Sequence, residues 1–301
     1  MTEAVVRQAT HDDYDAVAAF TRDTWADQGR GDYIPDVFHD WVDANGPEWR
    51  TVVVEVGGDV AGICQGKFLS EYETWLEGMR VHPEYRGEGH GLRMVRDLFE
   101  WAREGGATVA RNMVFGWNDA GLGQSMAAGF EPRTSFRWAE PAPQARSADR
   151  EPAVVDDAAA AWSYWARSDA RDVLGGLALD SEHSWTLSEL SRERLHALAD
   201  DERVFAVKDG GTRGMAVRVR TTERPTEDDA AETLAEYAVG VWADVPAARR
   251  LFDAISADAH DLGADATRVL IPESPRHVAE AAAVRVGFSE HCDFVLEADL
   301  T

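Results

Sequence analysis

Two hydrophobic periods alternate along the chain: a period of two for half-buried strands and of three to four for amphipathic helices. Residues 4–9 alternate weakly and predict a short strand. Thr10 stands at a helix N-cap with Asp12 and Asp13 in the first turn, and Tyr14, Val17, Ala18, Phe20, Thr21 and then Trp25 follow at helical spacing to Gly29-Arg30-Gly31. A second helix is predicted over 35–43, with Val37, Phe38, Trp41 and Val42 inward and Asn45-Gly46-Pro47 closing it. The β-branched run 51–56, the Gly57-Gly58 turn, and 60–69 and 71–81 predict a meander of three antiparallel strands. Residues 91–104 form a helix with Leu92, Val95, Leu98, Phe99 and Ala102 on one face, stopped by Gly105-Gly106. A strand (107–115), a short helix (118–128) and a last strand (130–139) complete this half.

Residues 140–152, with Pro141, Pro143 and Pro152, have the composition of a linker. Beyond it the pattern predicts helices at 155–171 and 187–199, strands at 204–207, 214–220 and 234–243, a helix at 247–261, a strand at 266–271, a helix at 277–286 and a strand at 294–296. The order strand–helix–Gly-Phe–strand occurs twice: after Gly106-Ala107-Thr108, ending at Gly129-Phe130, and after Gly263-Ala264-Asp265, ending at Gly287-Phe288. Offsets of 157 and 158 residues, about one domain length, read as an internal duplication. The expected organisation is a first domain over 1–139, the linker 140–152 and a second domain over 153–301.

The stretch that carries chemistry is Glu77–Gly91, where Gly87, Gly89 and Gly91 alternate into a helix start. Such a turn presents free backbone N–H groups and the positive end of a helix dipole, an arrangement that takes an anion, most often a phosphate. A dinucleotide fold needs a parallel βαβ unit here, whereas the preceding strands read as a meander. Gly123-Gln124-Ser125-Met126-Ala127 imitates a nucleophile elbow, but Ser125 falls inside a helix rather than at a sharp strand-to-helix turn.

Charge narrows the setting. There are 55 acidic against 30 basic residues, a net −25, and Lys67 and Lys208 are the only lysines. Dispersed acidity with almost no lysine fits a salt-accumulating, halophilic cytoplasm, where screening relieves the self-repulsion. No broad basic face is available for nucleic acid. Cys64 and Cys292 are too few for a disulfide framework, and the nine histidines show no ligand spacing, so no metal is expected. No stretch reaches membrane-spanning length and the start lacks a signal pattern, so a cytoplasmic protein is expected.

Arg86-Gly87-Glu88-Gly89-His90-Gly91 fits Arg/Gln-x-x-Gly-x-Gly, preceded by Val81-His82-Pro83-Glu84-Tyr85, with Asn118 eleven residues before Gly129-Phe130. With the element order above, residues 4–139 resemble the GCN5-related N-acetyltransferase (GNAT) superfamily. The resemblance implies an α/β (α+β, mixed-sheet) fold in two tandem GNAT-like domains. The second is degenerate, since 241–250 passes from strand to helix without a glycine and Ala283 stands where Ser125 stands in the first.

It further implies N-acetyl transfer from acetyl-CoA to a primary amine of a small molecule or peptide by direct attack, without nucleic acid or membrane; a homodimer is left open. The cofactor would be held by the backbone at Met79, Arg80 and Val81, by the loop residues Arg86, Gly87, Glu88, Gly89, His90 and Gly91, and by Asn118. Glu77, in Trp75-Leu76-Glu77-Gly78-Met79, is similar to a glutamate that faces the amine in aminoglycoside 6′-N-acetyltransferase-like members. The family's usual acid, a tyrosine seven residues after the asparagine, is here Ser125, a far weaker acid than a phenol. That departure makes a non-catalytic acyl-CoA-binding or interaction module the alternative.

Overall fold

A computed structural model describes residues 4–26, 31–146, 154–199, 203–225 and 231–301. The predicted helix stop at Gly29-Arg30 and residues 147–153, at the end of the linker and the start of the second domain, lie outside them. The chain forms two compact units. One comprises residues 1–114, 118–132 and 295–301; the other comprises 115–117 and 133–294. Residues 133–139, expected in the first domain, thus belong to the second unit, and the last seven residues, expected in the second domain, belong to the first.

The first half runs β1 (Ala4–Gln8), α1 (Tyr14–Thr21), α2 (Ile34–Asp43), β2 (Trp49–Val56), β3 (Asp59–Phe68), β4 (Glu73–Val81), α3 (His90–Glu104), β5 (Val109–Phe115), α4 (Asp119–Ala127) and β6 (Glu131–Glu140). These bounds follow the predicted ones closely except for α1, expected to run from the Thr10 cap past Trp25, which instead ends at Thr21. β1 to β4 pair antiparallel in sequence order, while β5 joins β4 in parallel. Gly57 and Gly58 turn between β2 and β3 with φ of 64° and 100°, the two left-handed residues that a tight hairpin requires. Val52, Val53 and Val54 are all buried because helices cover both faces of the sheet. On one face α1 and α2 pack Val17, Ile34, Phe38 and Trp41 against Val53 and Ile63. On the other, α3 lies so close to β3 that a Cβ at Gly66 would stand 2.9 Å from the Trp101 ring.

The remainder runs β7 (Val154–Val155), α5 (Ala158–Trp165), α6 (Asp169–Val173), β8 (Leu177–Leu179), β9 (Leu187–Glu189), α7 (Arg192–Ala199), β10 (Val204–Lys208), β11 (Thr212–Pro225), β12 (Ala231–Trp242), α8 (Val245–Asp261), β13 (Ala266–Pro272), α9 (Pro275–Ala283), β14 (Gly287–Phe288) and β15 (Asp293–Asp299). Val295–Asp299 of β15 lies beside β5 in the first unit. It is held there by Arg111 Nε to Glu297 Oε2 (2.7 Å) and by the Leu300 N–H to the Thr108 carbonyl (2.9 Å).

In the second unit the strands run β6-β13-β12-β11-β10-β7, with β12 and β13 parallel. Tyr237, Trp242, Leu251, Phe252 and Ile255 form its core under α8. Two predictions fail here for local reasons. The single helix predicted over 155–171 breaks at Ser168, whose hydroxyl accepts the Arg171 N–H and starts a new helix. The helix predicted over 187–199 begins only after Ser191, which caps it through the Arg194 N–H; Leu187–Glu189 instead pairs with Leu177–Leu179 as a hairpin. Buried Asp180 fixes that hairpin by accepting from the Glu182 and His183 N–H groups and from Ser188 Oγ.

His277 is fully buried beside Trp242, within hydrogen-bond reach of Ser274 Oγ and Arg276. Burial, reinforced by the Arg276 charge, pushes its pKa down to about 4. The folded value lies below the unfolded one of about 6.5, so the contribution is full above pH 6.5 and is lost as pH falls from 6.5 to 4. The 2.5-unit gap corresponds to about 3 kcal/mol. Chemical denaturation at a series of pH values should show this loss, and His277→Gln should flatten it over that window.

Candidate active site

The site grows from a parting of strands. β4 and β5 pair only at Glu73–Val109, Thr74–Ala110 and Trp75–Arg111. Beyond these pairs β4 continues to Val81 with no strand partner on that side among the described residues, so the backbone groups of residues 76–81 that do not pair with β3 face a wedge. A bulge adds to the opening: between the Ile63–Arg80 and Gln65–Glu77 pairs, one residue of β3, Cys64, faces two of β4, Gly78 and Met79. Gly78 sits in the bulge with φ of 65°, and a Cβ there would meet the Trp41 ring at 2.2 Å, so glycine is required.

At the mouth of the wedge, Pro83–Tyr85 makes one helical turn and the glycine loop leads into α3. Gly87 and Gly89 both have φ of 81°, and an added Cβ at either would meet nothing within 4 Å. Gly89 is the N-cap, and no side chain caps the helix. The Arg93 N–H closes onto the Gly89 carbonyl, leaving the N–H groups of His90, Gly91 and Leu92 without intrahelical acceptors. No acidic residue occupies the first turn. A chain of net −25 therefore presents one positive helix end with its donors free.

Gly91 allows close packing rather than a special conformation: a Cβ there would fall 2.5 Å from Gln124 Nε2 and 3.2 Å from Met79 Sδ, side-chain ends that would have to shift. Met79 is thereby placed against the first turn of α3, and the Val81 carbonyl accepts from Arg86 Nε (3.2 Å). The Arg86 side chain otherwise lies exposed. Glu88 is also exposed, 3.4 Å from the buried His90 ring. His90 points inward, edge-on to Tyr85, so only its backbone serves the loop. Arg80 points away from the wedge to Asp32 (2.6 Å) and stacks on Trp25, so its guanidinium has a structural partner. Asn118 caps α4, its Oδ1 accepting the Gly121 N–H at 2.9 Å.

Glu77 lies on the face covered by α1 and α2. Its Oε1 accepts from Lys67 Nζ at 2.8 Å, and the Lys67 side chain is only 4% exposed. One of the chain's two lysines is thus the buried counter-ion of the expected amine-binding carboxylate, a partner that lysine scarcely used elsewhere could have signalled. Cys64 touches the same strand, its Sγ 3.5 Å from the Glu77 carbonyl. Complete burial, with the Glu77 charge nearby, pushes its thiol up to about 12, which leaves it unreactive.

Ser125 is buried in α4, and its Oγ accepts from Asn112 Nδ2 (2.9 Å) on β5. Among the buried polar atoms without a hydrogen-bond partner in the described residues, Asn112 Oδ1, Gln124 Nε2 and both His90 ring nitrogens lie near the loop and α4. Asn112 and Gln124 are not singled out by the sequence. A cradle of glycines, free helix N–H groups and orphaned polar atoms beside a parted sheet fits a long ligand with a phosphate end and an amide-bearing arm. Among the described residues no group of three or more His, Cys, Asp or Glu could hold a metal ion, and no helix is long and apolar enough to cross a membrane.

Residues 14–120 match the family described as the acetyltransferase (GNAT) family. Thialysine N-epsilon-acetyltransferase of Bos taurus is 30% identical over 100 residues, 29% of this chain and 59% of that protein. The Sus scrofa enzyme of the same name is 32% identical over 84 residues, 24% and 49% of the two chains. The chain spans about half the length of these curated relatives. Among solved structures, a GCN5-related N-acetyltransferase from Sphaerobacter thermophilus superposes with a TM-score of 0.59 at 16% identity, covering 99% of this chain and 96% of that one. A putative acetyltransferase from Thermoplasma acidophilum gives 0.56 at 16%, covering 98% and 99%. These structural likenesses show the fold along the chain. The family match and the named relatives make residues 14–120 similar in sequence to GNAT acetyltransferases.

Removing the Glu77 charge leaves the Lys67 ammonium buried without its counter-ion. Glu77→Gln should destabilise the protein by about 3–5 kcal/mol, and the double variant Lys67→Met with Glu77→Gln should recover most of it. Denaturant midpoints of the three proteins check this.

Proposed function

We propose that this protein is an N-acetyltransferase that moves an acetyl group from acetyl-CoA to a primary amine by direct attack. The carrying observation is the uncapped start of α3 at the mouth of the β4/β5 wedge. Pyrophosphate is held by the N–H groups of Gly87 to Gly91, with Arg86 adding charge, while the backbone at Met79 and Val81 pairs with the pantetheine arm. Arg80, tied to Asp32, contributes its backbone. Asn118 orders the start of α4 and leaves its amide NH2 for the arm.

Acetyl-CoA, when bound, supplies an acyl group activated as a thioester; the chain's own residues manage the amine. Glu77 accepts a hydrogen bond from the amine, directly or through water, through Oε2, which has no hydrogen-bond partner among the described residues. Lys67 holds the other oxygen and fixes the rotamer. The named relatives act on thialysine, which makes a small diamine-like acceptor the first to test.

The second unit is read as a GNAT-like scaffold with its cofactor site closed. The start of α8 is capped by Asp244, whose Oδ1 accepts the Ala247 N–H at 2.9 Å. Where β12 leaves β13, the fully buried Trp242 donates to Glu280 and packs on Phe252 and His277. One molecule therefore carries one cofactor site. The acidic, lysine-poor composition supports the reading of a salt-rich cytoplasm, so assays belong in multimolar KCl.

Calorimetry with acetyl-CoA should show one site per chain. Gly89→Leu should weaken binding by about a hundredfold or more, equivalent to about 2.7 kcal/mol, and should also lower the thermal midpoint, because the left-handed φ of 81° costs a side chain about 1–2 kcal/mol even though the space around Gly89 is open. Unchanged affinity overturns the loop assignment. Binding without turnover on thialysine and a broad amine panel favours the acyl-CoA-binding module instead.

A further inference from the structure

Ser125 raises a question that the cofactor reading leaves open: a buried hydroxyl stands where a phenol acid is expected, and it is not solitary. Asn112 Nδ2 donates to Ser125 Oγ at 2.9 Å. Asn112 is the residue after Arg111, the last on β5 to pair with β4, so it sits at the apex of the wedge. Its neighbour Arg111 turns to the other face of the sheet, toward Glu73 and Glu297, while Asn112 turns to α4. The mouth of the wedge, at Val81 and the start of α3, lies six residues further along β4, about 20 Å away for an extended strand. A ligand with its phosphates at the mouth therefore brings the far end of its arm to the apex.

We infer that Asn112 and Ser125 act as one unit that stabilises the sulfur leaving at the apex of the wedge. The inference rests on the acetyl-CoA reading above. The Ser125 oxygen is already an acceptor for the Asn112 amide, so its own proton is free to be donated into the cleft. The neighbouring Asn112 Oδ1, buried and without a partner, is an acceptor for an N–H of the arm and holds the amide in this orientation once that arm is present. In the reaction the amine nitrogen forms a bond to the acetyl carbon as the carbon–sulfur bond breaks, and sulfur departs with the electron pair. The surplus proton of the amine passes through Glu77 or water to solvent, and sulfur takes a proton from solvent after departure. Ser125 keeps its proton throughout and donates a hydrogen bond, which is what a hydroxyl too weak to act as an acid can do. Asn112 is the positioning residue.

The test needs no acceptor amine. CoA with a free thiol is bound to the protein in multimolar KCl, and its thiol is titrated by the ultraviolet absorbance of the thiolate, with affinities for CoA and acetyl-CoA measured in parallel. A donor at sulfur lowers the pKa of the bound thiol relative to a site without it. Ser125→Ala should raise that pKa by about one unit, a tenfold loss of thiolate at a given pH, while acetyl-CoA affinity stays within about twofold. Asn112→Ala should give a similar rise, and the double variant no more than Ser125→Ala alone, since the two groups act through one hydrogen bond. Asn112→Asp, which accepts the serine proton and adds a negative charge, should raise it further. Equal thiol titration in all these proteins, with CoA bound, overturns the pair while leaving the cofactor site intact. Failure of the wild-type protein to bind CoA or acetyl-CoA overturns the cofactor reading and the pair with it.

Discussion

Parallel strands that separate leave N–H and C=O groups facing a gap, and buried backbone groups do not stay unpaired without cost. This constraint organises the first unit. β4 and β5 part after three pairs, and most features of the candidate site answer the parting. The bulge at Gly78 widens it, Trp41 supports the bulge from one face, and Gly91 lets α3 approach Met79 and Gln124 on the other. Water or a ligand must meet the exposed edge of β4. Because the donors at the start of α3 lie at the same mouth, a ligand that is both a strand mimic and an anion answers both demands together.

Electrostatics on the opposite face are arranged by pairing rather than by net charge. Glu73 and Glu297 flank Arg111 at 2.5 and 2.7 Å, and Glu77 is held by Lys67. Ion pairs with so little exposure lose solvation that mutual attraction only partly restores, so they contribute less to stability than to fixing geometry. The charge on this face is set by these buried pairs. The excess of −25 over the whole chain does not settle this, because the exposed acids are screened in salt whereas the buried ones are not.

Much of this was legible in the sequence where local chemistry decides the outcome. The glycine loop, the Gly57-Gly58 hairpin and the amphipathic α3 were placed within a residue or two, since left-handed turns and helical stripes are written in neighbouring residues. The parts missed depend on distant ones. Leu187–Glu189 carries a helical-looking pattern, yet it pairs with Leu177–Leu179 because Asp180 gathers the intervening turn. That Val295–Thr301 belongs to the first unit could not be read from a composition change at 140–152, which marks a boundary in the sequence but not which strand joins which sheet. Asn112, Lys67 and Gln124 escaped for the same reason: each matters through a partner 10 or more residues away, or through lacking one.

The two units also show how little is needed to open or close such a site. Both contain a strand leading to a long helix beside a parallel partner strand. In the second, Asp244 supplies from within the chain the negative charge and acceptor that α3 must take from outside. Arg213 and the Ala247 N–H hold that carboxylate below the usual range, so it stays ionised as a built-in anion. Gly240 provides no cavity, since a Cβ there would already strike Val269, and Trp242 fills the space beyond. A cap and an indole thus satisfy the same unpaired donors and the same apolar gap that a cofactor would. Asp244 closes the start of α8 from within the chain, whereas the start of α3 at Gly89 has no side-chain cap and no acid in its first turn, so its N–H groups keep the demand for an acceptor that Asp244 meets in the second unit.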